Sequence, residues 1–194
     1  MERDRLTAFT DGVLAIIVTI MVLELKPPHG AGLEQLRELL PVFLSYVLSF
    51  VYVGIYWNNH HHFFQLVPAV SGGMLWANLH LLFWLSLIPF TTAWMGENHF
   101  APLPTALYGG SLLMSALAWA VMQAVIFRAQ GPDSPLKRAL GRDLKAKISP
   151  VLYLAGIGLC FVQPALGGAL YVAVALMWLI PDRRVEHSLA ASAG

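Results

Sequence analysis

Arg5-Leu6-Thr7-Ala8-Phe9-Thr10-Asp11-Gly12-Val13-Leu14-Ala15-Ile16-Ile17-Val18-Thr19-Ile20-Met21-Val22-Leu23-Glu24 lies near the start of the chain. A membrane-spanning helix needs about 20 mostly apolar residues, and the run from Leu6 to Leu25 supplies them. The run looks superficially like a secretion signal. Asp11 interrupts it, however, and no small-residue cleavage site precedes Lys26-Pro27-Pro28. It reads as a retained first helix over roughly 5–25.

Composition says the same of the whole chain. Of 194 residues, 57% are hydrophobic and 12% are charged, against about 25% charged in ordinary soluble domains. A chain this short cannot hide so much apolar surface in its own core, so lipid must cover part of it. The net charge of +1 gives no electrostatic case for a nucleic-acid partner. The single Cys160 excludes an internal disulfide framework and a multi-cysteine metal site; in its apolar run it reads as a small buried hydrophobe.

Six segments have the length and composition of spanning helices: roughly 5–25, 39–63, 73–95, 104–128, 146–162 and 165–181. The fold class is an all-α integral membrane protein. Only Gln163-Pro164 separates the last two segments, which predicts a tight helical hairpin. Gly156, Gly158, Gly167 and Gly168 interrupt their pattern. Residues 1–181 read as one transmembrane domain and 182–194 as a short disordered tail. No internal repeat is visible, and the unequal loops argue against matched transporter halves.

Six spans put both termini on one side, and the positive-inside rule chooses it. An inside N-terminus places Arg3, Arg5, Arg128, Lys137, Arg138, Arg142, Lys145, Lys147, Arg183 and Arg184 inside, with only Lys26 and Arg37 outside. The expected location is a cell (inner) membrane with both ends cytoplasmic. The 129–146 stretch reads as a basic cytoplasmic loop.

Polar residues inside a span are costly and point to function. At 100° per residue, Gly12, Ile16, Thr19, Ile20 and Leu23 share a stripe about 100° wide. Asp11 lies about 140° from Ile16. Arg5 and Asp11, about 240° apart, cannot meet on the helix and need partners elsewhere. On spacing alone, the stripe reads as ordinary helix packing in lipid, and Asp11 as a buried acid holding helices together.

The second segment ends His60-His61-His62. Consecutive helical residues diverge by 100°, so three adjacent histidines do not converge on one ion as ligands at i and i+4 would. No metal is assigned. A polar cluster at the cytoplasmic end, meeting Arg5 or Asp11, fits better. Tyr56, Trp57 and Trp76 read as interfacial or packing aromatics, and His80 as a satisfied histidine within the bundle. No nucleophile motif, phosphate loop or paired catalytic carboxylates occur, so no active site assembles and no cofactor is expected.

Arg5-x-x-x-Phe9-Thr10-Asp11, with Ala15-Ile16-x-x-Thr19 and Leu23-Glu24, resembles the first-helix signature of the transmembrane protein 175 family of potassium channels. The usual Arg-x-x-x-Phe-Ser-Asp has Thr10 in place of serine here, which keeps the hydroxyl. Asn78-Leu79-His80, Ser86, Pro89-Phe90-Thr91 and Gly96-Glu97 are also similar to that family. The resemblance implies a homotetramer in the lipid bilayer, with potassium as the permeant ion. First helices would line a central pore without a carbonyl filter, and no Thr-Val-Gly-Tyr-Gly occurs in this sequence. Ile16 would form the narrowest hydrophobic gate, Ile20 and Leu23 further apolar layers, and Thr19 a layer linked to potassium preference. Arg5, Phe9, Thr10 and Asp11 would form the network orienting the pore helix, with His60, His61, His62 and His80 as support. Symmetry makes one residue a ring, and an apolar ring closes a pore by dewetting. A proton-coupled transporter or membrane-embedded enzyme using Asp11 and the histidines is the competing expectation; a non-conducting helical scaffold is a third.

Overall fold

The computed structural model describes residues 3–131 and 144–179. Every regular element among them is an α-helix: α1 (Arg3–Leu23), α2 (Leu33–Glu38), α3 (Leu40–Gln65), α4 (Gly72–Ser86), α5 (Ile88–Glu97), α6 (Pro102–Gln130), α7 (Leu144–Cys160) and α8 (Pro164–Leu179). Four stretches are long and apolar enough to cross a membrane: α1, α3, α4 with α5, and α6. α8 is shorter and also apolar. Most of the expected basic loop, with Lys137, Arg138 and Arg142, lies outside the described residues, as does the tail from 182 with Arg183 and Arg184.

The third expected segment, read as unbroken over 73–95, is two helices. α4 stops at Ser86, and Pro89 sits in the first turn of α5. Proline has no N–H to donate, and its ring collides with the carbonyl four residues back, here that of Leu85. The Thr91 hydroxyl shares its proton between the carbonyls of Leu87 at 3.3 Å and Ile88 at 3.2 Å, in the first turn of α5.

Neighbouring long helices alternate in direction. At one end, Arg3 Nη1 donates to the Gln65 carbonyl at 3.4 Å, and Gln130 Nε2 to the Leu66 carbonyl at 3.2 Å. This brings the start of α1 to the ends of α3 and α6. At the other end Gly96, closing α5, abuts Ser45 and Val42 near the start of α3. One core joins α1 to α3, α4 and α6 through Leu14, Ile17, Val53, Leu81, Trp119 and Met122. A second ties α7 and α8 to α6 through Tyr108, Leu112, Tyr153, Tyr171 and Val174.

The glycines that interrupt the last two segments are where these helices touch. Lipid tails are as apolar as the side chains, so van der Waals packing must hold membrane helices together, and small residues permit it. α7 and α8 form the expected hairpin, turned by Gln163 N donating to the Leu159 carbonyl at 2.8 Å. A Cβ on Gly167 would lie 2.6 Å from the Gly156 carbonyl oxygen and against the Cys160 sulfur. Tyr171 fills the space that Gly109 and Gly156 leave. Cys160 is buried, as expected, with Sγ 3.6 Å from the Tyr171 hydroxyl. Gly167→Ala is therefore expected to cost about 1–3 kcal/mol through backbone displacement. Gly168→Ala, with open space around its Cβ, is the control. Thermal unfolding in detergent compares them, and equal melting temperatures would refute the close-packing account.

Candidate functional site

α1 has three distinct sides, each fixed by the 100° step of the helix. Leu6, Thr10, Leu14, Ile17 and Met21 form its buried side, with Leu14 2% and Ile17 3% exposed. The opposite side carries Gly12, Ile16, Thr19, Ile20 and Leu23, all exposed in the subunit. Ile16 is 59% and Leu23 75% exposed, large apolar side chains uncovered by their own chain. Arg5 and the exposed Phe9 continue this stripe toward the helix start. Thr19 Oγ1 donates to the Ile16 carbonyl at 2.9 Å. Its proton is thus engaged within the helix, so Thr19 presents an acceptor oxygen to the exposed stripe.

The four residues of the α1 motif do not gather into one cluster within the subunit. Thr10 points inward, where Asn78 Nδ2 donates to its hydroxyl at 2.9 Å. Asn78 Oδ1 lies 3.0 Å from His60 Nε2. With the Asn78 amide nitrogen turned to Thr10, its oxygen faces His60 and can only accept. His60 therefore carries its proton on Nε2. This relay crosses α3, α4 and α1, and all three residues are buried. His60 Nδ1 has no partner among the described residues, and the ring stacks on Phe64 with centroids 4.4 Å apart.

Asp11, one residue further along, faces α3, and the Trp57 indole N–H donates to its Oδ1 at 3.0 Å. Adjacent residues of α1 are thus pinned to two different neighbours, a two-sided clamp. Arg5 is exposed and without a side-chain partner among the described residues. Its place five residues from Thr10 puts it about 140° away from the relay.

The histidines separate as their spacing requires. His60 reaches α1 through Asn78 rather than by meeting Arg5 or Asp11. His61 Nε2 lies 2.9 Å from Gln65 Nε2. With Arg3, Asp4, Thr7 and Asp11, both line an open cavity of about 340 Å³ at the start of α1. His62 is half-buried and meets the His61 ring edge-on. His80, expected inside the bundle, is instead exposed and accepts a hydrogen bond from Trp84 Nε1 at 3.0 Å. Among the described residues no three His, Cys, Asp or Glu side chains converge to hold a metal. Asn78 was visible as an amide within a span, a costly placement that signals a partner. Nothing in the sequence shows that its two ends reach Thr10 and His60.

These helices, with a lipid-length apolar bundle and one large uncovered face on α1, define a polytopic helical membrane protein. The family described as endosomal/lysosomal potassium channel TMEM175 matches residues 5–89. A protein of Chryseobacterium sp. (strain P1-3) named a potassium channel is 55% identical over 97% of this chain and 98% of its own length. One of Streptomyces collinus, also named a potassium channel, is 30% identical over 91% of each. The crystal structure of a lysosomal potassium-selective channel TMEM175 homolog from Chamaesiphon minutus superposes with a TM-score of 0.78 at 27% identity, covering 92% of this chain and 97% of that one. The chain belongs to the TMEM175 family, whose members are ion channels and not enzymes.

Proposed function

We propose that this chain forms a potassium-permeable cation channel, a homotetramer of six-span subunits in the cell (inner) membrane. The α1 stripe lines its central pore. The observation that carries the reading is the run of large apolar residues that the subunit leaves uncovered on one side of α1, beginning one turn beyond the clamp. A fourfold axis beside it turns Ile16, Ile20 and Leu23 into apolar rings. Such rings exclude ions by dewetting until the helices move apart. Thr19, between two of them, sets four acceptor oxygens toward the pore, suited to a cation. Relatives named potassium channels support the choice of ion. The positive-inside rule supports cytoplasmic termini: the end of the bundle where Arg3 meets Gln65 and the last turn of α6 reaches Leu66 carries Arg3 and Arg128.

Potassium flux from liposomes holding the purified chain tests conduction; a well-folded tetramer without flux overturns it. Asp11→Asn separates the channel from a proton-coupled transporter or enzyme. Asparagine keeps an oxygen to accept from Trp57, so the channel is expected to retain flux within about threefold (roughly 0.7 kcal/mol). A mechanism that needs Asp11 to ionise loses its activity altogether in the same variant.

A further inference from the structure

α3, α6, α7 and α8 meet around a cavity of about 30 Å³ that no residue of α1 lines. Its size decides what it can hold. One water needs about 10–15 Å³, and a dry cavity of about 150 Å³ takes benzene. The space therefore suits about two waters and is too small for an organic ligand. Trp119 of α6 and Trp178 of α8 supply apolar walls. The Trp119 ring meets that of Tyr56 edge-on, with centroids 6.1 Å apart.

Three polar atoms lining the cavity have hydrogen-bonding capacity left. The hydroxyl of half-buried Tyr56 has no partner among the described residues. Asn59 Nδ2 donates to the Ile55 carbonyl at 2.8 Å, which fixes the amide orientation and leaves Oδ1 as an acceptor. Ser149 Oγ accepts from Trp178 Nε1 and donates to the Lys145 carbonyl, both at 2.8 Å, which leaves it one lone pair. The other hydroxyls there are engaged. Tyr52 donates to the Tyr171 carbonyl at 2.6 Å, and its oxygen meets the Tyr153 hydroxyl. The cavity thus offers one donor and two acceptors. A water complements that set, accepting one hydrogen bond and donating two, and buried waters make about three. We propose that the cavity is a hydration site, in which a bound water accepts from Tyr56 and donates to Asn59 and Ser149. This bridge joins α3 to α7. Tyr56 and Asn59 directly precede Trp57 and His60, the α3 residues of the clamp. The turn of α3 that holds α1 is therefore fastened to the α7–α8 hairpin through solvent.

X-ray hydroxyl-radical footprinting of the full chain in phosphatidylcholine nanodiscs tests this without reference to conduction. Radiolysis of a bound water oxidises the side chains that touch it, however deep they lie. Tyr56 is expected to be oxidised several-fold faster than Tyr108, a buried tyrosine whose hydroxyl receives a hydrogen bond from Ser49 at 3.0 Å. Asn59→Leu takes away an acceptor and fills the space, and should bring Tyr56 down toward the Tyr108 rate. Should that variant misfold, Tyr56→Phe removes the donor and should lower the oxidation of Trp119 in the same way. Oxidation of Tyr56 no faster than that of Tyr108 overturns the proposal. So does an unchanged rate in a folded variant, which would mean that bulk solvent reaches the ring from outside.

Discussion

Ile16→Asn is expected to raise resting potassium flux by roughly tenfold or more, about 1.4 kcal/mol off the barrier. Ile16 stands outward from α1, 59% exposed, while its neighbour Ile17 is packed into the core at 3%. A substitution at 16 therefore alters the uncovered face without opening a cavity. In a fourfold assembly it places four amides where four butyl groups stood. Amides hydrogen-bond water, so the constriction stays wet and the dewetting barrier falls. Ile16→Val keeps the wall apolar and should conduct nearly as the parent does. Both variants should melt within about 0.5 kcal/mol of the parent, as surface changes usually do. Flux from liposomes reads the effect, and an unchanged Ile16→Asn would remove the stripe from the pore.

The second large effect is expected on stability. Asn78→Leu removes both hydrogen bonds of the buried relay and leaves the His60 Nε2–H and the Thr10 hydroxyl facing a hydrocarbon side chain. Hydrogen bonds between membrane helices are worth about 0.6–2 kcal/mol each. The loss should therefore be about 1–4 kcal/mol, seen as a lower melting temperature in detergent. Thr10→Val, which deletes one acceptor, should cost about half as much. Thr10→Ser keeps the hydroxyl and should be close to neutral. If Asn78→Leu melts with the parent, the relay does not hold α1.

Much of this was legible in the sequence, because a helix repeats every 3.6 residues and a bilayer fixes how long a span must be. The stripe from Gly12 to Leu23 and the hairpin at Gln163-Pro164 follow from those two rules. What periodicity does not encode is which distant residue faces which. Trp57 reads as an interfacial aromatic until Asp11 is seen 3.0 Å from its indole nitrogen. His60 reads as one of three like residues, yet it alone joins the relay. Gly156 and Gly167 read as weaknesses in a helix because their value lies in a neighbour's backbone. The break before Pro89 was legible in principle, since proline forbids the bond it lacks. The continuous hydropathy on both sides concealed it.

The clamp also gives α1 the mechanics of a cantilever. Beyond Asp11, no α1 side chain hydrogen-bonds to another helix among the described residues; the rest packs through the apolar Leu14, Ile17 and Met21 into the core. At 1.5 Å per residue, Ile16 stands about 7.5 Å from the fixed point and Leu23 about 18 Å. A given tilt then moves the far ring more than twice as far as the near one. In the proposed tetramer, the ring at Leu23 would therefore open under smaller loads than the one at Ile16, which would set the stiffness of the gate.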